Sequence, residues 1–298
     1  MAFEIPDWYQ WNYRPQDVKR PDWFVSWPGH ARVAVNFKIM HEWESVPRPS
    51  GRGGSSNTMD YWSLCAREYG FKAGIWRLMD VFDKHGIKST VMGSGLAAEL
   101  WPDSFRELHR RGHEIASHSW DQAVHPPQFK SREEEQDALR KSLAALEKAT
   151  GVRPVGYMSQ GPRATPHTLE LIAEEGLVWD ADYHDCDIPY IMDVKGKKVV
   201  SVGYARPDFT DSELIPLGLS GGLQQLKDEF DAVYEESQRH PMKFFFAMHA
   251  HKSGTPGMAK MLDKFIDYVK GHDGVWFCRC IDMAEFWLDQ EGRSAVGR

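Results

Sequence analysis

Gly112-His-Glu-Ile-Ala-Ser-His-Ser-Trp-Asp-Gln-Ala-Val-His125 is the stretch on which the reading of this chain turns. Glu114 to Ser117 predicts a short buried strand behind a charged helix that ends near Arg111. His118 stands where the strand gives way to a loop carrying Asp121, Gln122 and His125. In a parallel sheet, such strand ends are where side chains meet a ligand. An isolated histidine there is, as a rule, a hydrogen-bonded structural group. A second predicted strand, Phe244 to Met248, also ends in histidines, His249 and His251. Two strand ends carrying imidazoles mark a site.

Outward from this stretch the chain alternates strands with helices. Arg32 to Met40 is a first strand ending at His41-Glu42-Trp43-Glu44. A helix follows over Phe71 to His85, with Ile75, Leu78, Met79 and Phe82 on one stripe and Gly86 as its stop. Strands are expected at 87–92, 155–158, 177–181, 198–202 and 275–278. Helices are expected at 97–111 (interrupted at Trp101-Pro102), from the capping box Ser131/Glu134 to Thr150, from Thr165-Pro166 to Glu175, and at 222–239, 257–270 and 281–288. This alternation predicts parallel βα units, hence an α/β fold and an irregular (β/α) barrel of about seven to eight strands. No composition shift splits residues 1–298, so one domain is expected, with an extended aromatic arm over 1–30 in which Pro6-Asp-Trp8 and Pro21-Asp-Trp23 echo each other. Residues 47–57, PRPSGRGGSSN, predict a mobile loop leaving the strand that carries Glu42; with Arg48 and Arg52 it is a candidate lid.

Composition narrows the function. A chain of 298 residues with 42% hydrophobic content, 12 Trp and 15 Phe can build a sizeable core. A net charge of -7 argues against nucleic acid or an anionic membrane as partner. No apolar run is long enough to span a bilayer and no basic-plus-apolar leader follows Met1, so a cytoplasmic protein with reduced thiols is expected. The four cysteines form no CxxC pair.

The polar residues at the predicted strand ends are His41, Glu42 and Glu44, then His118, Asp121, Gln122 and His125, then Gln160 and Arg163, then Asp182, His184, Asp185 and Asp187, and finally His249 and His251. A carboxylate with two imidazoles can hold a divalent metal that activates water. A histidine on the opposite side can protonate a leaving amine.

Three segments resemble the polysaccharide deacetylase (NodB-homology) superfamily: Gly112 to Ser119, Thr165-Pro-His-Thr-Leu-Glu-Leu-Ile172 and His249-Ala-His-Lys-Ser-Gly-Thr-Pro256. Tyr69-Gly70, Trp76-Arg77, the unit around Gly86 to Thr90 and Val275-Trp-Phe277 fit it as well, and the resemblance spans roughly residues 28–288. The branch it points to is that of allantoinase-like and cyclic-imide-hydrolase-like proteins. The resemblance implies a NodB-like barrel that hydrolyses non-peptide C–N bonds: a small cyclic ureide or imide, or alternatively an N-acetylated sugar with a metal. A carbohydrate-binding barrel without activity is the alternative from another class. Carried over, Glu42 matches the family's metal-ligand carboxylate, and His41 or Met40 stands where its base would be. His118 is the first metal histidine, Gln122 replaces the second, and His249 matches the catalytic histidine. The implied site therefore has Glu42, His249 and Arg163 as catalytic groups, Arg163 or backbone N–H groups holding the oxyanion. Gln122, Asp182, Asp185, His251 and Trp120 are the substrate contacts, and His118, Glu42 and His125 the metal ligands. The implied metal is zinc, weakly bound or absent. The expected partners are a small-molecule or sugar substrate and further copies of the chain in a homo-oligomer.

Overall fold

The structure is a computed structural model that describes residues 13–45, 61–203 and 209–296. The 47–57 loop with Arg48 and Arg52, and the first part of the arm with Pro6-Asp-Trp8, lie outside the described residues. In chain order the elements are β1 (Val33–His41), α1 (Tyr61–Tyr69), a π-turn (Gly70–Gly74), α2 (Ile75–His85), β2 (Thr90–Gly93), α3 (Gly95–Leu100), α4 (Pro102–Arg110), β3 (Glu114–Ser117), α5 (Arg132–Thr150), β4 (Gly156–Tyr157) and α6 (Thr168–Glu174). Then come β5 (Trp179–Asp180), β6 (Tyr190–Val194), β7 (Lys197–Ser201), α7 (Asp211–Leu214), α8 (Gly218–Glu236), β8 (Met242–His249), α9 (Ala250–Ser253), α10 (Pro256–Lys270), β9 (Val275–Phe277) and α11 (Cys280–Val296).

The strands form one curled sheet in the order β6-β7-β5-β4-β3-β2-β1-β8, with β9 added on β1. All pairings are parallel except the β6–β7 hairpin. This is the irregular α/β barrel anticipated above. Its unforeseen part is the hairpin, whose turn places Lys195 and Gly196 at positive φ, as two-residue hairpin connections demand. Among the described residues, no helix is long and apolar enough to cross a membrane.

β1 shows why the chain folds this way. It is buried along its whole length, as a central parallel strand must be. Side chains alternate along a strand, so Val33, Val35, Phe37 and Ile39 pack outward into a core shared with α2 and α10. Ala34 and Met40 face the barrel interior with Met92, Ala116, Met158, Trp179 and Ala247. The interior is floored by the arm: Phe24 packs edge-on against both Trp27 and Trp287, and the Trp27 indole donates to the Met242 carbonyl at 2.7 Å. Gly156 is required here, because a Cβ would fall 1.8 Å from the Trp179 ring. The predicted caps are present. The Ser131 hydroxyl accepts from Glu134 N–H at the start of α5, and Gly86 ends α2 in the left-handed region at φ 66°.

Candidate active site

The alternation of β1 decides which of its residues reach the interior. His41 continues the outward series: its ring lies 4.2 Å from that of Phe71, and its Nε2 is 2.9 Å from the Ser104 hydroxyl. Burial pulls its pKa down to about 3. A neutral imidazole turned away from the interior is not the base of this site. Met40 points inward but has no basic atom. The next inward residue that can act is Glu42, 4% exposed.

Glu42 is gripped from three directions. Arg67 of α1 donates from Nη1 to Glu42 Oε1 at 2.8 Å and from Nη2 to Glu44 Oε1. His118 Nε2 lies 3.3 Å from Glu42 Oε2, and His249 Nε2 lies 3.9 Å from Oε1. Burial alone would raise the Glu42 pKa. The contact with His118 and the charges of Arg67 and His249 outweigh it and hold the carboxyl well below the usual range. His118 leaves β3 through Ser119, whose φ of 58° is a left-handed conformation that serine seldom adopts. Its Nδ1 lies 2.8 Å from the Met158 carbonyl. A carbonyl only accepts, so Nδ1 carries the proton and Nε2 is left facing the carboxylate.

His249 ends β8. Its Nδ1 lies 2.7 Å from Asp211 Oδ1, and its own backbone N–H donates to Asp211 Oδ2 at 2.6 Å. The Ser253 hydroxyl also donates to Oδ2, at 2.9 Å. Burial would raise the Asp211 pKa, but the neighbouring His249 lowers it, so the carboxylate is ionised and orients the ring with Nε2 toward Glu42. Asp211 reaches this position because Thr210 bridges to Ala247 alongside β8. Thr210 also caps α7 in a capping box with Glu213.

His251 sits one residue into α9 and lies 3.3 Å from Arg67 Nη1. Burial, then the charges of Arg67 and His249, push its pKa well below that of free imidazole, so it is neutral. Glycines let α9 come this close. A Cβ on Gly74 would meet the Ala250 carbonyl at 2.1 Å, and one on Gly70 would meet the His251 backbone N at 3.0 Å. Both belong to the π-turn between α1 and α2, an irregularity often found at functional sites.

The remaining candidates spread out. Gln122 is held by its backbone N–H on the Trp43 carbonyl, and its side-chain oxygen is buried without a partner. Asp182 flanks His118 through the Met158–Ser159 turn, accepting from the Ser159 N–H at 2.6 Å and the Ser159 hydroxyl at 2.9 Å. Burial raises its pKa to about 6. Arg163 and Asp185 line, with Asp182, a cavity of about 290 Å³ beside the strand ends. Asp185 is also tied to Arg14 and to the Tyr190 hydroxyl. Trp120 is turned to the helices, with Lys141 Nζ 3.6 Å from its ring centroid. The guanidinium that reaches Glu42 is therefore Arg67, not Arg163. Arg67 and Asp211 are the two residues that strand-end reasoning missed. The signal for Asp211 was the capping box Thr210-Asp-Ser-Glu213.

The metal implied by the resemblance has two partners in reach, Glu42 Oε2 and His118 Nε2, and no third among the described residues. Among the described residues His125 does not converge with them, its Nδ1 lying 2.9 Å from the Gln160 carbonyl, and Gln122 offers a neutral amide. Among the described residues, the one trio of His, Cys, Asp or Glu whose ligand atoms converge within 4.8 Å is His85, Asp263 and Asp267. There Asp263 is already paired with Lys84 and Lys260. Catalytic zinc takes three protein ligands. Among the described residues the strand ends do not supply that set.

The curled α/β barrel sets a carboxylate–imidazole pair opposite a carboxylate-oriented histidine, an arrangement suited to hydrolysis. Residues 64–178 match the polysaccharide deacetylase family. A crystal structure of a protein from Pseudomonas aeruginosa PAO1, described as a probable polysaccharide deacetylase, is 28% identical with a TM-score of 0.80, covering 95% of this chain and 98% of that one. The crystal structure of Puue allantoinase is 27% identical with a TM-score of 0.81, covering 96% and 98%. A Schizosaccharomyces pombe protein whose name places it among the polysaccharide deacetylases is 27% identical over 88% of this chain and 92% of its own length.

Proposed function

We propose that this hydrolase opens a small cyclic amide, a ureide or imide, and does so without a tightly held metal. The observation that carries the reading is that, among the described residues, no third ligand joins Glu42 and His118, where an arginine already neutralises the carboxylate. The likeness to an allantoinase over nearly the whole of both chains supports the substrate class. A water against His118 Nε2 and Glu42 Oε2 would lose its proton to the imidazole as it attacks the carbonyl carbon, with Glu42 stabilising the imidazolium. Glu42 is itself a poor base, because the cations around it lower its affinity for a proton. His249, oriented by Asp211, would donate from Nε2 to the departing ring nitrogen. His251 and Gln122 supply neutral acceptors suited to the N–H groups of a ureide, and Arg163 and Asp182 on the adjoining cavity would contact its periphery. The second reading, N-deacetylation of a sugar, is favoured by the names of the deacetylase relatives. A hydrolysis screen of chelator-treated protein over cyclic ureides, cyclic imides and N-acetylated sugars separates the two. Ring opening by metal-free protein is the expected result; deacetylation that depends on added zinc would replace it with the second reading.

A further inference from the structure

Arg67 is held at more points than an ordinary ion pair requires. Nη1 is 2.8 Å from Glu42 Oε1 and 3.3 Å from both ring nitrogens of His251, and Nη2 bonds Glu44 Oε1. The carboxylates it joins are buried, at 2% and 7% side-chain exposure, and its own side chain is only 21% exposed. It approaches along α1, which the glycines of the π-turn hold against α9. A fixed planar guanidinium matches two carboxylates better than an ammonium could. The oxygen it occupies belongs to the carboxylate that would be the anionic ligand of a divalent ion. An ion at Glu42 would lie a few ångströms from this positive charge, and at that range like charges in a poorly solvated site repel strongly.

We infer that Arg67 is a built-in cation that competes with divalent metal for Glu42 and takes over the metal's role of neutralising that carboxylate. This rests on the reading of Glu42 and His118 as the water-handling pair, but its test reads metal binding, which stands or falls independently of the substrate. Arg67 then acts as a positioning residue: it holds the Glu42 carboxylate against His118 and keeps it ionised, and it need not touch the substrate.

The experiment is calorimetric titration of chelator-stripped protein with zinc chloride. Removal of the charge in Arg67→Ala and Arg67→Gln should tighten zinc binding at least about tenfold, whereas Arg67→Lys should stay near the wild-type affinity. Adding Glu42→Gln to either neutral variant should abolish the gain, which places the zinc at Glu42 and not at His85, Asp263 and Asp267. Two neutral variants guard against one failing to fold, and the wild type gives an independent reading. Stoichiometric zinc surviving chelator dialysis in the wild type would overturn the inference. Unchanged or weaker zinc binding in the neutral variants would overturn it too, as would a gain that persists with Glu42→Gln.

Discussion

The inner face of the sheet carries buried ionisable groups at two levels, and they differ in their partners more than in their burial. At the rim, Glu42 lies between Arg67, His118 and His249, and Asp211 is locked to His249. Opposite charges within reach overcome the cost of burial, and both carboxylates stay ionised. Deeper in the barrel, Lys38 has no hydrogen-bond partner and sits over the Phe245 ring at 3.4 Å. Glu114 accepts from Thr90, the Trp179 indole and the Ile281 N–H but faces no paired cation. Burial pushes the Lys38 amine down and raises the Glu114 carboxyl to about 7. Burial by itself moves these groups toward neutrality; pairing keeps a charge available for chemistry. The rim is built for reaction and the floor for filling space.

The largest expected effect follows from the rim. His249→Ala should lose at least roughly 10²-fold in kcat, the scale of general acid–base catalysis, with an unchanged circular dichroism spectrum. An unfolded variant beside an active His249→Gln would make the histidine structural and erase the contrast. Asp211→Asn comes next. The amide cannot hold Nδ1–H as a carboxylate does, so kcat should fall by roughly an order of magnitude or more with KM little changed. Equal losses in kcat and in melting temperature would show that Asp211 serves only α7 and α9.

Along the chain, what could be read from sequence was whatever periodicity and strand ends announce. Glu42, His118 and His249 each stand at or just past the C-terminal end of an apolar run, and β1, β3 and β8 end where that pattern stops. Arg67 and Asp211 were not legible in the same way. Arg67 comes from a helix that precedes the predicted start at Phe71, and its aim depends on the close contact of Gly70 and Gly74 with α9. Asp211 belongs to a four-residue helix that no periodicity can reveal. His41 illustrates the converse. Its place beside Glu42 suggested a base, and the alternation of β1 sends it to the other face.

Smaller effects sharpen the floor side of the comparison. His41 titrates near 6.5 when unfolded and near 3 when folded. Its neutral form therefore contributes stability that is fully present above pH 6.5 and is lost as pH falls toward 3. Between pH 6.5 and 4.5 this amounts to about 2–3 kcal/mol. His41→Leu should lose correspondingly less stability than the wild type over that interval in urea titrations; parallel pH profiles would show that the histidine is not buried neutral. Lys38→Met should be the mildest change. Replacing an unpaired buried amine by an apolar chain of similar length should leave the melting temperature unchanged or raise it, and kcat should stay within about twofold. A tenfold loss of activity would mean that the floor takes part in the reaction.

The central claim is that a paired, metal-independent rim opens a cyclic amide. It is tested most directly by kcat/KM on a cyclic ureide before and after exhaustive dialysis against a chelator, with Glu42→Gln measured alongside. The account predicts that the wild type keeps most of its activity when stripped of metal and that Glu42→Gln loses roughly 10²-fold or more in both states. Activity that vanishes on chelation and returns with stoichiometric zinc would contradict it.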